Sequence, residues 1–220
     1  MAYERIHTSL SKGIETITLD YGPTLNALDM VMAGELAEAL EEAEGNPEVK
    51  VLVLAGAGRA FSAGGDIRYM KAHCDEPDFS KKSMAPLAGK LSEIVLYMKK
   101  MRKIIICAVA GAAAGGAANL AFACDFIFAA DDAKFLQAFV GIGLCPDTGG
   151  VYFLPRMVGS HRAFDMFVTG RSVKAEEAQE MGLVKQVTSR EELMPRVMGF
   201  AEKADRGASS GLWQYETAYV

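Results

Sequence analysis

Apolar and polar positions alternate at the start of the chain and then give way to longer apolar blocks. Arg5–Ser9 and Ile14–Asp20 read as two strands of a hairpin around Ser11-Lys12-Gly13. In the second strand Ile17 and Leu19 face the core, and Thr16 and Thr18 alternate with them on the other face. Residues 21–28, with Pro23 and Asn26, read as a loop. The period then changes. Asp29 stands as the cap of a helix running to about Gly45, with Met32, Leu36, Leu40 and Ala43 on one face. Val51–Ala55, Ile104–Val109 and Asp125–Ala129 are short, continuous apolar runs of the kind found in strands buried on both faces. Residues 73–86, with Pro77 and Pro86, read as a mobile loop or broken helix, and Leu87–Arg102 as a helix striped by Leu91, Ile94, Val95 and Met98. Gly115–Ala123, rich in small residues, predicts a closely packed helix.

Past a loop at 139–147, Thr148–Met157 reads as helical up to Gly159, and Ser160 as the cap of Arg162–Val168. Ser172 is expected to cap Ala175–Met181, which Gly182 stops. Leu183–Val187 is a short strand and Glu191–Ala204 an amphipathic helix; the tail, Gly207–Val220, shows no period. Strands alternating with helices predict an α/β fold with a mainly parallel sheet covered by helices.

Composition adds exclusions. The 220 residues are 50% hydrophobic and 23% charged, enough for one sizeable core. A net charge of −5 and the lack of a long basic run argue against nucleic acid as a partner. The densest basic cluster, Lys99-Lys100-Met101-Arg102-Lys103, reads as the solvated end of a helix. Four cysteines (Cys74, Cys107, Cys124, Cys145) and three histidines (His7, His73, His161) show no metal-ligand spacing. The cysteines are expected to be reduced and mostly buried, in a cytoplasmic protein. No signal peptide and no membrane-spanning run are expected.

The chemistry is suggested by two glycine-rich stretches. Arg59-Ala60-Phe61-Ser62-Ala63-Gly64-Gly65-Asp66-Ile67 follows the Val51 strand, and Ala110-Gly111-Ala112-Ala113-Ala114-Gly115-Gly116-Ala117-Ala118-Asn119 follows the Ile104 strand. Glycine lets backbone N–H groups turn toward a ligand. Two such loops at neighbouring strand ends can aim two donors at one oxygen, an oxyanion hole for a reaction that builds charge on a carbonyl.

These stretches resemble the crotonase superfamily, the enoyl-CoA hydratase/isomerase family. So do Leu25-Asn26-Ala27-Leu28, the Val109–Asp125 block, Gly141-Ile142-Gly143-Leu144-Cys145-Pro146-Asp147-Thr148-Gly149-Gly150 with Leu154-Pro155-Arg156, and Gly170–Val184. The likeness covers roughly residues 3–205. It implies a crotonase-like spiral of ββα turns with mainly parallel sheets and a shortened helical C-terminal region. Residues 1–188 would form the acyl-CoA-binding core and 189–220 a partial C-terminal helical region. It also implies a homotrimer or dimer of trimers, an acyl-CoA substrate, and no separate cofactor, coenzyme A being part of the substrate. By position, Gly65 and Gly116 would donate to the thioester oxygen. Ala63, Gly64, Asp66, Ile67 and Arg68 would line the CoA arm, with Asn26, Ala27 and Leu28 toward its adenosine end.

The departures narrow the chemistry. Hydratases of this family use two glutamates, and the matching positions here are Asn119 and Phe139, neither of which transfers a proton. Asn119 is expected to orient the thioester or a water, or to pack against the helix. Asp147 remains. It resembles the acid/base aspartate of acyl-CoA isomerases and the nucleophilic aspartate of aryl-CoA dehalogenases. An Asp before Thr-Gly-Gly is equally a helix cap. Phe139 beside it would raise its pKa. His73 reads as a surface histidine, and as the base a dehalogenase would need. The leading expectation is an isomerase working through an enolate. The alternatives are a hydratase using a carboxylate elsewhere, and a catalytically silent acyl-CoA-binding protein. Family members continue past the Glu191–Ala204 helix with helices that cover the site, whereas this chain closes with Arg206-Gly207-Ala208-Ser209-Ser210-Gly211-Leu212-Trp213 and seven further residues.

Overall fold

A computed structural model describes residues 3–208; the aperiodic tail from Ser209 lies outside them. The hairpin forms as β1 (Ile6–Ser11) and β2 (Ile14–Leu19), paired antiparallel with Ile6 opposite Leu19. Lys12 and Gly13 both take positive φ (51° and 77°), the mirror-image turn whose twist suits a tight hairpin. Helix α1 (Met30–Gly45) starts where Asp29 accepts a bond from the Met32 N–H at 2.8 Å. Its buried face is Met32, Ala33, Leu36, Ala39, Leu40 and Ala43. Strand β3 (Val51–Gly56) then runs parallel to β2.

The chain continues through α2 (Ile67–His73), a π-helical turn at Ser80–Met84, and α3 (Ala85–Lys100). The segment expected to be a broken helix is one, and α3 begins two residues before the expected Leu87. Pro86 sits in its first turn, where a missing N–H costs nothing. Strand β4 (Ile104–Val109) is followed by β5 (Ala112–Ala114), α4 (Gly116–Phe122), β6 (Phe126–Ala130) and β7 (Lys134–Leu136). Then come α5 (Gly150–Val158), α6 (Ser160–Thr169), β8 (Ser172–Lys174), α7 (Ala175–Glu180), β9 (Gln186–Thr188) and α8 (Arg190–Ala208).

Six strands form the main sheet in the order β1-β2-β3-β4-β6-β9, parallel from β2 onward. A second sheet, β5-β7-β8, has one parallel and one antiparallel pair. The sequence pattern did not suggest this second sheet, because its strands are too short to show a period. Two expected caps are not met. Ser172 lies in β8 opposite Leu136, so backbone pairing replaces side-chain capping. Ser160 is already inside α6, whose start is Gly159 at φ 85° with no capping side chain.

The main sheet is apolar on both faces. Ile17, Leu19, Leu52, Leu54, Ile105 and Cys107 face the core shared with α1, α3 and α4. Ile14, Val51, Val53, Ile106, Ala108 and Phe128 face Leu193, Val197 and Ala201 of α8. Arg190, the first residue of α8, donates to the carbonyls of Gly58 and Arg59 and to the Asp132 carboxylate. Asp132 accepts in turn from the Gly111 N–H at 3.1 Å. Among the described residues no helix is long and apolar enough to cross a membrane. All four cysteines are free; Cys107 and Cys124 are buried, but Cys74 and Cys145 are exposed.

Asn26 is the polar hub of the first loop. It is 1% exposed and takes φ 57°, a region asparagine tolerates better than most residues. Its Oδ1 accepts from the Tyr21 N–H, and its Nδ2 donates to the carbonyls of Ala57, Ala60 and Phe61. Asn26→Ala leaves these buried groups unpaired. It should destabilise the fold by roughly 2–4 kcal/mol in urea unfolding; a loss below about 0.5 kcal/mol would contradict this role.

Candidate active site

The two glycine-rich stretches meet as backbone against backbone. The Ser62 N–H donates to the Ala112 carbonyl at 3.0 Å, and the Ala114 N–H to the Ser62 carbonyl at 3.1 Å. On its other side the first loop is laced to the segment before α1, with Ala63 N–H on Leu25 and Leu28 N–H on Gly64. Gly64 has φ 82°, and a Cβ there would lie 2.6 Å from the Ala114 carbonyl oxygen. No other residue type fits at that position.

This contact leaves two amides unspent. The Gly64 N–H is held by Ser62 Oγ and the Gly115 N–H by the Leu136 carbonyl. No acceptor among the described residues pairs with the N–H of Gly65 or of Gly116, which opens α4. Both glycines line one cleft.

The cleft walls are Ala63, Gly64, Ile67 and Met70 on one side and Phe139, Ile142, Leu144 and Asp147 on the other. Met84, Leu87, Ala88 and Leu91 close the α3 side. Its free volume is only about 60 Å³. The Met70 Cε lies 2.6 Å from where a Cβ on Gly65 would sit, so that methionine packs directly over the glycine. A second hollow of about 270 Å³ adjoins it, shares Met70, Met84 and Leu87, and is lined also by Leu28 and Asp66.

Asp147 is the one titratable side chain on the cleft wall among the described residues. Its Oδ1 is 3.7 Å from the place of a Cβ on Gly116. Burial pushes its pKa above the usual carboxylate range, and the Thr148 hydroxyl bond, 2.9 Å long, opposes that rise in part. The helix-capping reading of Asp147 is not met. The residue at the start of α5 is Gly149, at φ 76°, and it is the Asp147 carbonyl, not its carboxylate, that accepts from Gly150 N–H.

Several residues expected at the substrate carry internal hydrogen bonds. Asn26 and Ala27 are buried, and the Asn26 amide is spent on backbone. Asn119 is fully buried and does not reach the cleft wall; it donates to the Asp147 carbonyl at 2.8 Å and accepts from Gln137. Asp66 caps α2 through the N–H groups of Arg68 and Tyr69. Arg68 is exposed and donates to the Pro23 carbonyl. His73 stacks beside Tyr69, away from the cleft. Gln137, Thr148 and the two cleft methionines were not anticipated, since neither loop polarity nor helical spacing marks them.

Comparison with known proteins identifies the family. Residues 9–219 match the family model described as enoyl-CoA hydratase/isomerase. The chain is 34% identical over 193 residues to the trans-2-decenoyl-[acyl-carrier-protein] isomerase of Streptococcus mutans, covering 88% of this chain and 73% of that one. It is 37% identical over 195 residues to the 1,2-epoxyphenylacetyl-CoA isomerase of Escherichia coli, covering 86% and 72%. An enoyl-CoA hydratase structure from Mycobacterium avium subsp. paratuberculosis superposes with a TM-score of 0.87 at 29% identity, covering 99% of this chain and 85% of that one. Sequence and fold agree across nearly the whole chain: it belongs to the enoyl-CoA hydratase/isomerase family of the crotonase superfamily.

Proposed function

We propose that this enzyme isomerises unsaturated acyl-CoA thioesters through an enolate, with Asp147 as the acid/base and the amides of Gly65 and Gly116 holding the oxyanion. The observation that carries this reading is a cleft lined by one carboxylate and by two glycines whose N–H groups have no acceptor among the described residues. Asp147 takes the α-proton of a 3-enoyl thioester, and the electron pair moves onto the thioester oxygen. The charge there is met by the two N–H donors. The same carboxyl returns the proton at the γ-carbon, the enolate collapses, and the double bond shifts to the 2-position. No electrons enter or leave, so the step calls for no redox cofactor. Hydration needs a second group to activate water. Position 119 holds a buried amide and position 139 a phenyl ring, which favours isomerisation. The hydratase name borne by the solved neighbour keeps hydration as an outcome of the test.

We also propose a homotrimer or a pair of trimers, in the cytoplasm. Val151 and Tyr152 on α5 and Phe164 and Val168 on α6 are exposed apolar side chains suited to a second copy. The four free thiols suit a reducing compartment.

The test is isomerisation of 3-enoyl- and 2-enoyl-CoA in deuterated water. Wild-type protein should place deuterium on carbon, and Asp147→Asn should lose about 10²–10⁴ in kcat. A product heavier by one water would establish hydration instead, and a fully active Asp147→Asn would sink the acid/base role.

The pH dependence follows from the raised pKa of Asp147. The base must be ionised, so kcat/KM should fall on acidification at a pH above the ordinary carboxylate value of about 3.9. For stability the sign is opposite. A folded pKa above the unfolded one stabilises below the unfolded value and loses that contribution as pH rises through the folded one. Asp147→Asn should therefore melt no lower than wild type at neutral pH; a clear drop in Tm would contradict the desolvation account.

A further inference from the structure

Two buried side chains grip Asp147 from behind the cleft. Asn119 is 0% exposed, and its Nδ2 donates to the Asp147 carbonyl at 2.8 Å. Its Oδ1 accepts from Gln137 Nε2 at 2.7 Å, which fixes the way the amide faces. Gly150 packs so closely on this amide that any side chain there would collide with it. Thr148 is 1% exposed, and its hydroxyl donates to Asp147 Oδ1 at 2.9 Å. The same hydroxyl oxygen lies 3.2 Å from the place of a Cβ on Gly116, between the carboxylate and the start of α4.

Thr148 also takes φ 49°. A β-branched residue in the left-handed region is strained, and strain of this kind persists where the surroundings impose it. Glycine would sit there without cost. Backbone geometry alone therefore gives no reason for threonine; its hydroxyl does.

We propose that Thr148 and Asn119 are positioning residues: Thr148 holds one carboxylate oxygen of Asp147, and Asn119 holds its backbone, so that Oδ2 is presented to the substrate. This rests on Asp147 being the acid/base. Oδ1 is occupied by the Thr148 hydroxyl and the carboxylate is also met by its own backbone N–H, whereas Oδ2 takes no hydrogen bond from another side chain among the described residues. Among the described residues no charged side chain competes for the carboxylate. On α3, Lys90 and Glu93 face each other at 3.9 Å. On α5, Arg156 lies over the Tyr152 ring. Neither α4 nor the 138–146 loop carries an ionisable carboxylate or a cation.

The experiment compares Thr148→Gly, Thr148→Val, Thr148→Ser and Asn119→Ala with wild type and Asp147→Asn, on a 3-enoyl-CoA, across pH. Thr148→Gly relieves the strained backbone but gives up a buried side chain and its hydrogen bond; in protein that still shows a cooperative melting transition it should lose about tenfold in kcat at similar KM. Thr148→Val should lose as much, and both should move the acid limb of the profile to higher pH, since the donor that favours the anion is gone. Thr148→Ser should restore kcat and the limb. Asn119→Ala should lower kcat about tenfold at similar KM. Wild-type kcat and pH profile in Thr148→Gly, beside an inactive Asp147→Asn, would overturn this inference alone. An active Asp147→Asn would overturn the reading beneath it.

Discussion

Everything at the site depends on one main-chain contact, where Gly64 lies against the carbonyl of Ala114. It brings the ends of two adjacent parallel strands, β3 and β4, into register beyond the sheet itself. Ser62 then pairs on both sides with β5, so the loops behave as short extra strands rather than as free ends. The N–H groups of Gly64 and Gly115 are consumed in building this contact, and those of Gly65 and Gly116 are left over. Unpaired amides in an apolar cleft are costly in an empty fold and valuable to a developing oxyanion.

The same economy governs Asp147. A half-buried carboxylate met only by the Thr148 hydroxyl and its own backbone N–H lowers stability at neutral pH and raises basicity. Positioning it takes a left-handed threonine and a buried amide pair, and Gln137 Oε1 is left without a partner among the described residues. These features add nothing to the hydrophobic core. On the proposed reading they sit together to hold the one carboxylate of the cleft at a defined place.

Much of this was legible in the chain. The hairpin, the Asp29 cap, the continuous apolar runs and the glycine loops all announce themselves, because period, cap chemistry and glycine each have a local cause. What stayed hidden is nonlocal. Ser160 and Ser172 look like caps until a neighbouring turn and β7 make other demands. Asn26 and Asn119 look like polar residues aimed at a ligand, and both serve backbone carbonyls tens of residues away. The left-handed turn at Thr148 has no residue-type signal at all, since threonine normally avoids it. The glycine loops could be found by their chemistry, but the residues that aim Asp147 could be found only by their contacts.

Arg190 gives the architecture a last property. Its guanidinium joins the carbonyls of Gly58 and Arg59 to Asp132, which in turn holds Gly111. One side chain thus straps the roots of both glycine loops to the helix that seals the rear of the main sheet. The reactive front and the sealed rear are mechanically one body. A poorly packed substitution beneath α8 therefore bears, through this one guanidinium, on the roots of both glycine loops as well as on the sheet.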